Sequence, residues 1–263
     1  MSQSNPKKVV TIKNADEIAL MRESGRLLAD VFHQLDDLIK PGISTLEIND
    51  WVESYIVNQL KARPASLGQY DYPFSLNTSL NEVICHGMPN HKKLKSRDIV
   101  NVDITLEKNG FIADSSKMYV MPDAPVYAKR LSEITYQAMW QGIKQVKPGK
   151  TLGDIGAAIQ QCAEKNGYSV VREYCGHGIG RQMHEGPDVL HYGKAGTGEA
   201  LKPGMTFTIE PMINQGTFKT KLKNDGWTVV TKDKKLSAQW EHTILVTDDG
   251  YEVLTLRNEE KSS

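Results

Sequence analysis

Two aspartates, Asp103 and Asp114, stand eleven residues apart in the stretch NVDITLEKNGFIADSS, residues 101–116. Apolar and polar residues alternate on both sides of Asn109-Gly110, which predicts a β-hairpin with a two-residue turn. Such a turn places both carboxylates on one face as diagonal neighbours, about 7 Å or less apart at Cβ. Two carboxylates this close repel each other unless a proton or a cation lies between them. A solvent-exposed edge hairpin with two ordinary acids would also explain the pattern.

The composition excludes several classes of function. The 263 residues are 39% hydrophobic, which is enough for a core, and Lys+Arg and Asp+Glu number 32 each. A net charge of zero argues against DNA or an anionic membrane as the main partner, and no apolar run reaches the length of a membrane span. Three cysteines without a pairing pattern, and no apolar signal core near the start, predict a reduced, cytoplasmic protein.

The sequence repeats itself at a fixed offset of 107 residues. IKPGISTLEI begins at Ile39, and VKPGKTLGDI begins at Val146. The segment LKSRDIVNVD contains a predicted strand that ends at Asp103. The similar segment LKPGMTFTIE contains one that ends at Glu210. A duplicated unit around a pseudo-twofold axis would bring Asp103 and Glu210 to equivalent places beside that axis.

The repeat also predicts how the chain is organised. A helix is expected before and after each copy of the KPG segment, followed by strands, so the fold class is α/β. We expect a single catalytic domain over 1–263, with internal halves at about 12–123 and 124–256. Residues 1–11 and 257–263 are expected to be flexible termini.

Further candidate ligands lie downstream of the first hairpin. LSAQWEHTILVTDDGYEVL predicts a second hairpin that carries Glu241, and REYCGHGIGRQMHEGPDVLHY contains His177, His184 and His191. Each of these residues alone has an ordinary structural explanation. Four acids and a histidine drawn from two related halves describe a site for two divalent cations such as Mn, Co, Fe or Zn. Paired ions of this kind lie about 3.5–4 Å apart and stabilise attacking and leaving oxygens.

The stretch YCGHGIGRQMHEGPDVLHY resembles the signature of type I methionine aminopeptidases of the bacterial form, and the resemblance extends over about residues 12–256. It implies the pita-bread fold, in which two pseudo-twofold-related halves form an antiparallel sheet core with outer helices. The implied metal ligands are Asp103, Asp114, His177, Glu210 and Glu241. The implied active-site histidines are His86 and His184, and the implied ligands of a monovalent cation (Na or K) are Asn81, Val83 and Ser237. Only 30 residues separate Glu210 from Glu241, which leaves no room for the insertion of type II members.

The resemblance implies removal of the N-terminal methionine from nascent proteins by attack of metal-activated water on the first peptide bond. Glu210 would accept and relay the proton, His184 would donate a hydrogen bond to the developing oxyanion, and His86 would position the scissile amide nitrogen. The implied partners are N-terminal peptides and the ribosome near its exit tunnel. A monomer is expected, with no DNA or membrane partner.

The pocket for the methionine side chain departs from the family pattern. Its implied residues are Ser66, Gln69, Tyr72, Asn77, Met183 and Trp227. Many bacterial members have two cysteines and a tyrosine where this chain has Ser66, Asn77 and Gln69, and an aromatic residue where it has Met183. One wall of the pocket is therefore more polar, which predicts weaker or altered selectivity for methionine.

Three other functions are compatible with parts of the sequence. Prolidases, proline aminopeptidases and creatinase-like hydrolases share the fold but usually carry a sizeable N-terminal domain. A non-catalytic binding protein could keep the fold, although such relatives typically lose metal ligands. A nucleophilic enzyme could use Cys85 and His86, but adjacent residues on a strand point to opposite faces.

Overall fold

A computed structural model describes residues 9–261 of the chain. Within this range the α-helices are α1 Ala15–Leu35, α2 Thr45–Ser54, α3 Val126–Ile143 and α4 Leu152–Lys165. The strands in the same range are β1 Arg63–Pro64, β2 Leu76–Leu80, β3 Val83–Cys85, β4 Ile99–Lys108, β5 Phe111–Val120, β6 Ser169–Val170, β7 Gly176–Gly178, β8 Glu185–Val189, β9 Thr206–Ile209, β10 Met212–Asn214, β11 Thr220–Leu222, β12 Val229–Thr231, β13 Ser237–Gln239, β14 His242–Val246 and β15 Tyr251–Val253. No helix among the described residues is both long and apolar enough to span a bilayer.

The sheets are antiparallel, and each half of the chain supplies one of the two larger ones. Strand β4 pairs with β1, β2 and β5 in the first half. The second half forms a five-stranded sheet in the order β15-β14-β9-β7-β8. Two three-stranded sheets, β13-β10-β6 and β11-β12-β3, complete the framework, and the second of them joins the two halves.

The 107-residue repeat recurs in the backbone hydrogen bonds. Gly42 N–H donates to the Leu94 carbonyl, and Gly149 N–H donates to the Leu201 carbonyl. Both glycines have positive φ, at 101° and 85°, a region that favours glycine. The equivalent turns therefore enter equivalent helices, as the repeat predicts.

The helices that follow these turns begin with the same cap. Ser44 and Glu47 form a capping box at the start of α2, and Thr151 and Asp154 form one at the start of α4. Such reciprocal side-chain bonds satisfy N–H groups that the first helical turn leaves unpaired. Each half thus fixes the direction of its second helix in the same way.

Each half packs its own outer helices onto its own strands. In the first half α1 and α2 bury residues such as Val31 and Ile48 against Val102 and Ile104 of β4. In the second half α3 and α4 form the corresponding cluster with β9 and β14. Two apolar layers of this kind hold the sheets rigidly from outside and leave their other faces for a site.

The β4–β5 hairpin has the register that a two-residue turn requires. Asp103 pairs with Ser116, and Thr105 pairs with Asp114. The expectation that Asp103 closes its strand is wrong, because β4 continues to Lys108 with β5 as its partner. Glu210, in contrast, does follow the end of β9, since the next residue is a proline, which lacks the N–H that a strand ladder needs.

The N-terminal segment 1–11, expected to be flexible, has described contacts at residues 10 and 11, while residues 1–8 lie outside the described range. Val10 forms a bridge with Gly186, and the Thr11 hydroxyl contacts the Glu185 carboxylate. Lys13 forms a buried ion pair with Glu185 at 2.6 Å. These contacts tie the start of the described chain to the strand that follows His184.

The C-terminal segment 257–263, also expected to be flexible, begins with a buried arginine. Arg257 is 1% exposed and donates to the Ser115 hydroxyl at 3.1 Å and the Ser116 carbonyl at 3.3 Å. It also pairs with Glu260 at 2.9 Å, and Glu260 contacts His242 at 3.2 Å. A buried guanidinium needs such partners because an unpaired buried charge is costly.

Replacing Arg257 should therefore destabilise the fold more than replacing an exposed arginine. Arg257→Met leaves the Glu260 carboxylate buried without its partner, so we expect the free energy of unfolding to fall by about 3–5 kcal/mol. Denaturant unfolding of the metal-free protein measures this change. The control is Arg22→Met, which breaks the exposed pair with Glu252 and should cost less than about 1 kcal/mol. Equal losses in the two variants would contradict the interpretation.

Candidate active site

The structure brings the predicted catalytic, metal and pocket residues into one cavity of about 290 Å³. Its lining includes Ser66, Gln69, Tyr72, Asn77, His86, Asp103, Asp114, His177, Met183, His184, Glu210, Trp227 and Glu241. The cavity draws residues from strands of both halves. Convergence of titratable groups in one concave site is typical of a catalytic or binding centre.

Asp114 and Glu241 are held together across the two halves. The Glu241 N–H donates to the Ser116 carbonyl at 3.2 Å, and the Ser115 hydroxyl donates to the Glu241 carbonyl at 2.7 Å. The Thr243 hydroxyl accepts from the Asp114 N–H at 3.1 Å and donates to the Asp114 carbonyl at 2.8 Å. Backbone bonds therefore fix where both carboxylates enter the cavity.

A single threonine positions His177 and Glu210. The Thr208 hydroxyl accepts from the His177 N–H at 3.0 Å and donates to the Glu210 carboxylate at 2.7 Å. His177 Nε2 then lies 3.5 Å from Glu210 Oε1 and 3.7 Å from Asp114 Oδ2. A Cβ at Gly178 would lie 1.9 Å from the Gly186 carbonyl oxygen, so only glycine lets this short strand fit beside its partner.

When ionised, the four carboxylates would carry negative charge that no described Lys or Arg side chain neutralises through a salt bridge. Burial raises the pKa of Asp103 to about 6 and that of Glu210 to about 8. Burial, followed by repulsion from the neighbouring carboxylates, raises the pKa values of Asp114 and Glu241 well above their ordinary range. Within residues 9–261, none of the four carboxylates forms a salt bridge with Lys or Arg.

The donor set fits divalent metal ions. Asp114, His177 and Glu241 each offer a ligand atom, and these atoms lie within 4.8 Å of one another. Asp103 and Glu210 flank this group in the same cavity. Carboxylate oxygens and a neutral imidazole suit divalent Mn, Fe, Co or Zn. Two doubly charged ions would also balance the charge of the four carboxylates.

His184 is packed between two aromatic neighbours. Its ring centroid lies 4.3 Å from that of His177, and Tyr70 stacks against it at 5.7 Å. The Tyr70 hydroxyl is 3.2 Å from His184 Nδ1. Tyr70 was not predicted from the sequence, although it directly follows Gln69 of the predicted pocket.

The cavity lining also contains His86 and the aromatic residues of the predicted pocket. Tyr72 and Trp227 meet edge to face with centroids 4.9 Å apart, and Tyr174 meets His86 in the same way at 5.6 Å. Burial raises the pKa of Cys85 well above its ordinary value. A thiol of this kind is a poor nucleophile, which argues against the Cys85–His86 alternative.

Other residues of the site carried no recognisable sequence signal. Those that line the cavity are Thr105, Glu173, Tyr174, Cys175, Met212 and Gln239. Gln239 donates to Glu210 at 3.2 Å. His191, one of the candidate ligands from the sequence, lies outside this cavity lining, and its Nε2 accepts from the Glu210 N–H at 3.1 Å. Their roles depend on contacts between distant segments, which neither spacing nor alternation predicts.

The three residues expected to surround a monovalent cation lie outside this cavity lining. The Ser237 N–H donates to the Asn81 carbonyl at 2.9 Å, so two of them are in direct contact. Val83 pairs with Val230 in the adjoining sheet. The structure thus places Asn81 and Ser237 together, and a bound Na or K ion there stays a prediction.

Comparison with known proteins agrees with this geometry. The model of metallopeptidase family M24 matches residues 19–248. The chain is 51% identical over 252 residues to the methionine aminopeptidase of Escherichia coli (strain K12), which covers 95% of this chain and 96% of that one. The crystal structure of methionine aminopeptidase from Rickettsia prowazekii has a TM-score of 0.93 at 49% identity and covers 94% of this chain and 100% of that chain.

A more distant likeness concerns the fold alone. The prolidase from Pyrococcus furiosus has a TM-score of 0.76 at 21% identity, over 94% of this chain and 66% of that one. Together with the repeated turns and caps, these likenesses confirm the pita-bread fold of two related halves. The chain belongs to metallopeptidase family M24 and, within that family, to the methionine aminopeptidases.

Proposed function

We propose that the protein removes the N-terminal methionine from new proteins, using two divalent metal ions held by residues of both halves. The observation that carries this proposal is the meeting of His177 and four buried carboxylates in one cavity without a Lys or Arg salt bridge among residues 9–261. Methionine aminopeptidases at about half identity, matched over nearly their whole length, support the choice of reaction.

Five side chains would hold the two ions. Asp114 and Glu241, whose main-chain carbonyls accept hydrogen bonds from the Thr243 and Ser115 hydroxyls, would hold the ions together with Asp103, His177 and Glu210. When bound, divalent ions in such a site would polarise the substrate carbonyl and lower the pKa of bound water to about 7. The ions are drawn from Co, Mn, Fe and Zn, because the ligand types do not separate these metals.

Glu210 is the proposed proton carrier. Its carboxylate receives hydrogen bonds from the Thr208 hydroxyl and the Gln239 amide, which fix both oxygens. Once metal binding has displaced its own proton, the Glu210 carboxylate would take a proton from the attacking water and deliver it to the leaving amine.

The two histidines would act on the substrate amide from opposite sides. His184, supported by Tyr70, would donate a hydrogen bond to the oxygen on which negative charge develops. Burial lowers the pKa of His86, so this ring is neutral at pH 7 and can position the scissile nitrogen without adding charge.

The methionine side chain would occupy the part of the cavity that is lined by Ser66, Gln69, Tyr72, Asn77, Met183 and Trp227. Tyr72 and Trp227 would contact the thioether, since a sulfur beside an aromatic ring is stabilising. We further propose a single catalytic domain that works as a monomer in the cytoplasm. N-terminal peptides emerging at the ribosome are its proposed substrates, and Asn81, Val83 and Ser237 are the proposed ligands of a monovalent cation.

Removal of metal should abolish peptidase activity. After exhaustive chelation we expect no cleavage of a Met-Gly-type peptide, and addition of Mn, Co or Fe should restore cleavage because these ions suit the ligand set. Free methionine released per minute is the measurement, with metal content determined in parallel. Full activity in protein that contains no metal would disprove the proposal.

Metal binding should release protons at neutral pH. The raised pKa of about 8 keeps Glu210 largely protonated at pH 7, and a metal ion must displace that proton. We expect release of about one proton or more, and an apparent affinity that increases from pH 6 to pH 8. Calorimetric titration with Mn in two buffers of different ionisation enthalpy measures both quantities. Affinity independent of pH over this interval would contradict the expectation.

The polar pocket wall should reduce selectivity for methionine. Because Ser66, Gln69 and Asn77 offer little apolar surface, we expect kcat/KM for Met-Ala peptides to exceed that for Leu-Ala peptides by about tenfold or less. The E. coli relative, assayed with the same peptides, is the control. A strong preference for methionine in both proteins would remove the hypothesis.

A further inference from the structure

Asn77 of the pocket wall contacts a carboxylate of the proposed metal site. Strand β2 pairs with β4 so that Asn77 stands directly opposite Asp103. Directly opposed residues share a face, and the Asn77 Nδ2 group lies 3.3 Å from Asp103 Oδ2. The amide therefore donates to one oxygen of this carboxylate.

Ser66 reaches the second aspartate through a threonine. The Ser66 hydroxyl donates to Thr105 Oγ1 at 3.2 Å, and the Thr105 hydroxyl donates to Asp114 Oδ1 at 3.0 Å. Ser66 is 6% exposed and Thr105 is 2% exposed, so both hydroxyls are buried. The Ala65 N–H also donates to the Thr105 carbonyl at 2.8 Å, which holds the two segments in register.

Ser66 and Asn77 thus do more than line the pocket. The Asn77 amide donates a hydrogen bond to Asp103. The Ser66 hydroxyl donates to Thr105, and the Thr105 hydroxyl in turn donates to Asp114. The two aspartates lie on the same face of one hairpin, and their carboxylates repel each other when ionised. A donor fixed on each of them selects one orientation of each carboxylate against that repulsion.

We propose that Ser66 and Asn77 are positioning residues of the metal site, which hold the carboxylates of Asp114 and Asp103 in the orientation that binds divalent ions. This inference rests on the metal-dependent function proposed above. It couples the side-chain pocket to the metal site, because the same residues form the pocket wall and support the ligands. Partners that hydrogen-bond to ligands in this way commonly change metal affinity 10–100-fold when they are removed.

Direct measurement of Mn²⁺ affinity tests the role of Asn77. Asn77→Leu keeps the branched shape but removes the donor, and Asn77→Ala removes both. We expect each to weaken Mn²⁺ binding by about tenfold in competition with a chelating dye. The matched control is Thr78→Val, since Thr78 is the next residue on the strand, points to the other face and lines a different cavity. We expect no change in Mn²⁺ affinity for that variant.

A double-mutant cycle tests the path from Ser66 to Asp114. Ser66→Ala should weaken Mn²⁺ binding by about threefold, which corresponds to one neutral hydrogen bond. In a Thr105→Val background the same change should have no further effect, because its connection to Asp114 is already broken. Additive effects of the two substitutions would show that Ser66 does not act through Thr105 and would overturn this part of the proposal.

Two further measurements separate positioning from general destabilisation. Thermal unfolding of each metal-free variant should match that of Thr78→Val to within a few degrees, while Mn²⁺ affinity differs. Wild-type Mn²⁺ affinity in folded Asn77→Leu and Asn77→Ala would overturn the role of Asn77. Because the dye assay contains no peptide, a protein that binds two Mn²⁺ ions but cleaves no peptide would disprove the proposed function and leave this inference standing.

Discussion

Mutual repulsion among four buried carboxylates is the constraint on which the rest of the structure depends. Asp103, Asp114, Glu210 and Glu241 share one cavity with His177, and none has a Lys or Arg salt bridge within residues 9–261. Such an arrangement is unfavourable for a metal-free protein at neutral pH, and bound protons or divalent cations offset it. The fold must supply the energy that brings these groups together, and binding of cations recovers part of it.

That energy comes from contacts on both sides of the cavity. Apolar clusters under the outer helices of each half fix the two sheets. Between the halves, hydrogen bonds from Ser115 and Thr243 join the backbones that carry Asp114 and Glu241. Arg257 adds a buried charge behind this junction, where it donates to the Ser115 hydroxyl. The last described segment of the chain therefore supports the centre of the site.

The cavity has two chemically different walls that share residues. Carboxylates and His177 form one wall, and the aromatic rings of Tyr72 and Trp227 belong to the other. Ser66 and Asn77 stand between them, because each lines the pocket and is hydrogen-bonded towards an aspartate. A substitution of either residue that adapts the pocket to a different substrate side chain would therefore also alter the orientation of the aspartate carboxylates in the proposed metal site.

The sequence by itself determined the features that follow from short-range patterns and from the repeat. Alternation around Asn109-Gly110 predicted the hairpin and the common face of its aspartates, since strand and turn geometry are local. The 107-residue repeat predicted a helix before and after each KPG segment, and the structure has α1, α2, α3 and α4 at these places. Resemblance to a known family supplied the candidate ligands, and the structure places them in one cavity.

Only the tertiary structure decided which side chains support those ligands. Tyr70 stacks on His184 across 114 residues of chain, and Arg257 reaches Ser115 across 142. Strand register places Asn77 opposite Asp103, and the packing of two segments joins Ser66 to Thr105. Local patterns do not encode such contacts, because they depend on how distant elements dock after each has formed. Burial of Arg257 has the same origin, since its partners are brought to it only by the complete fold.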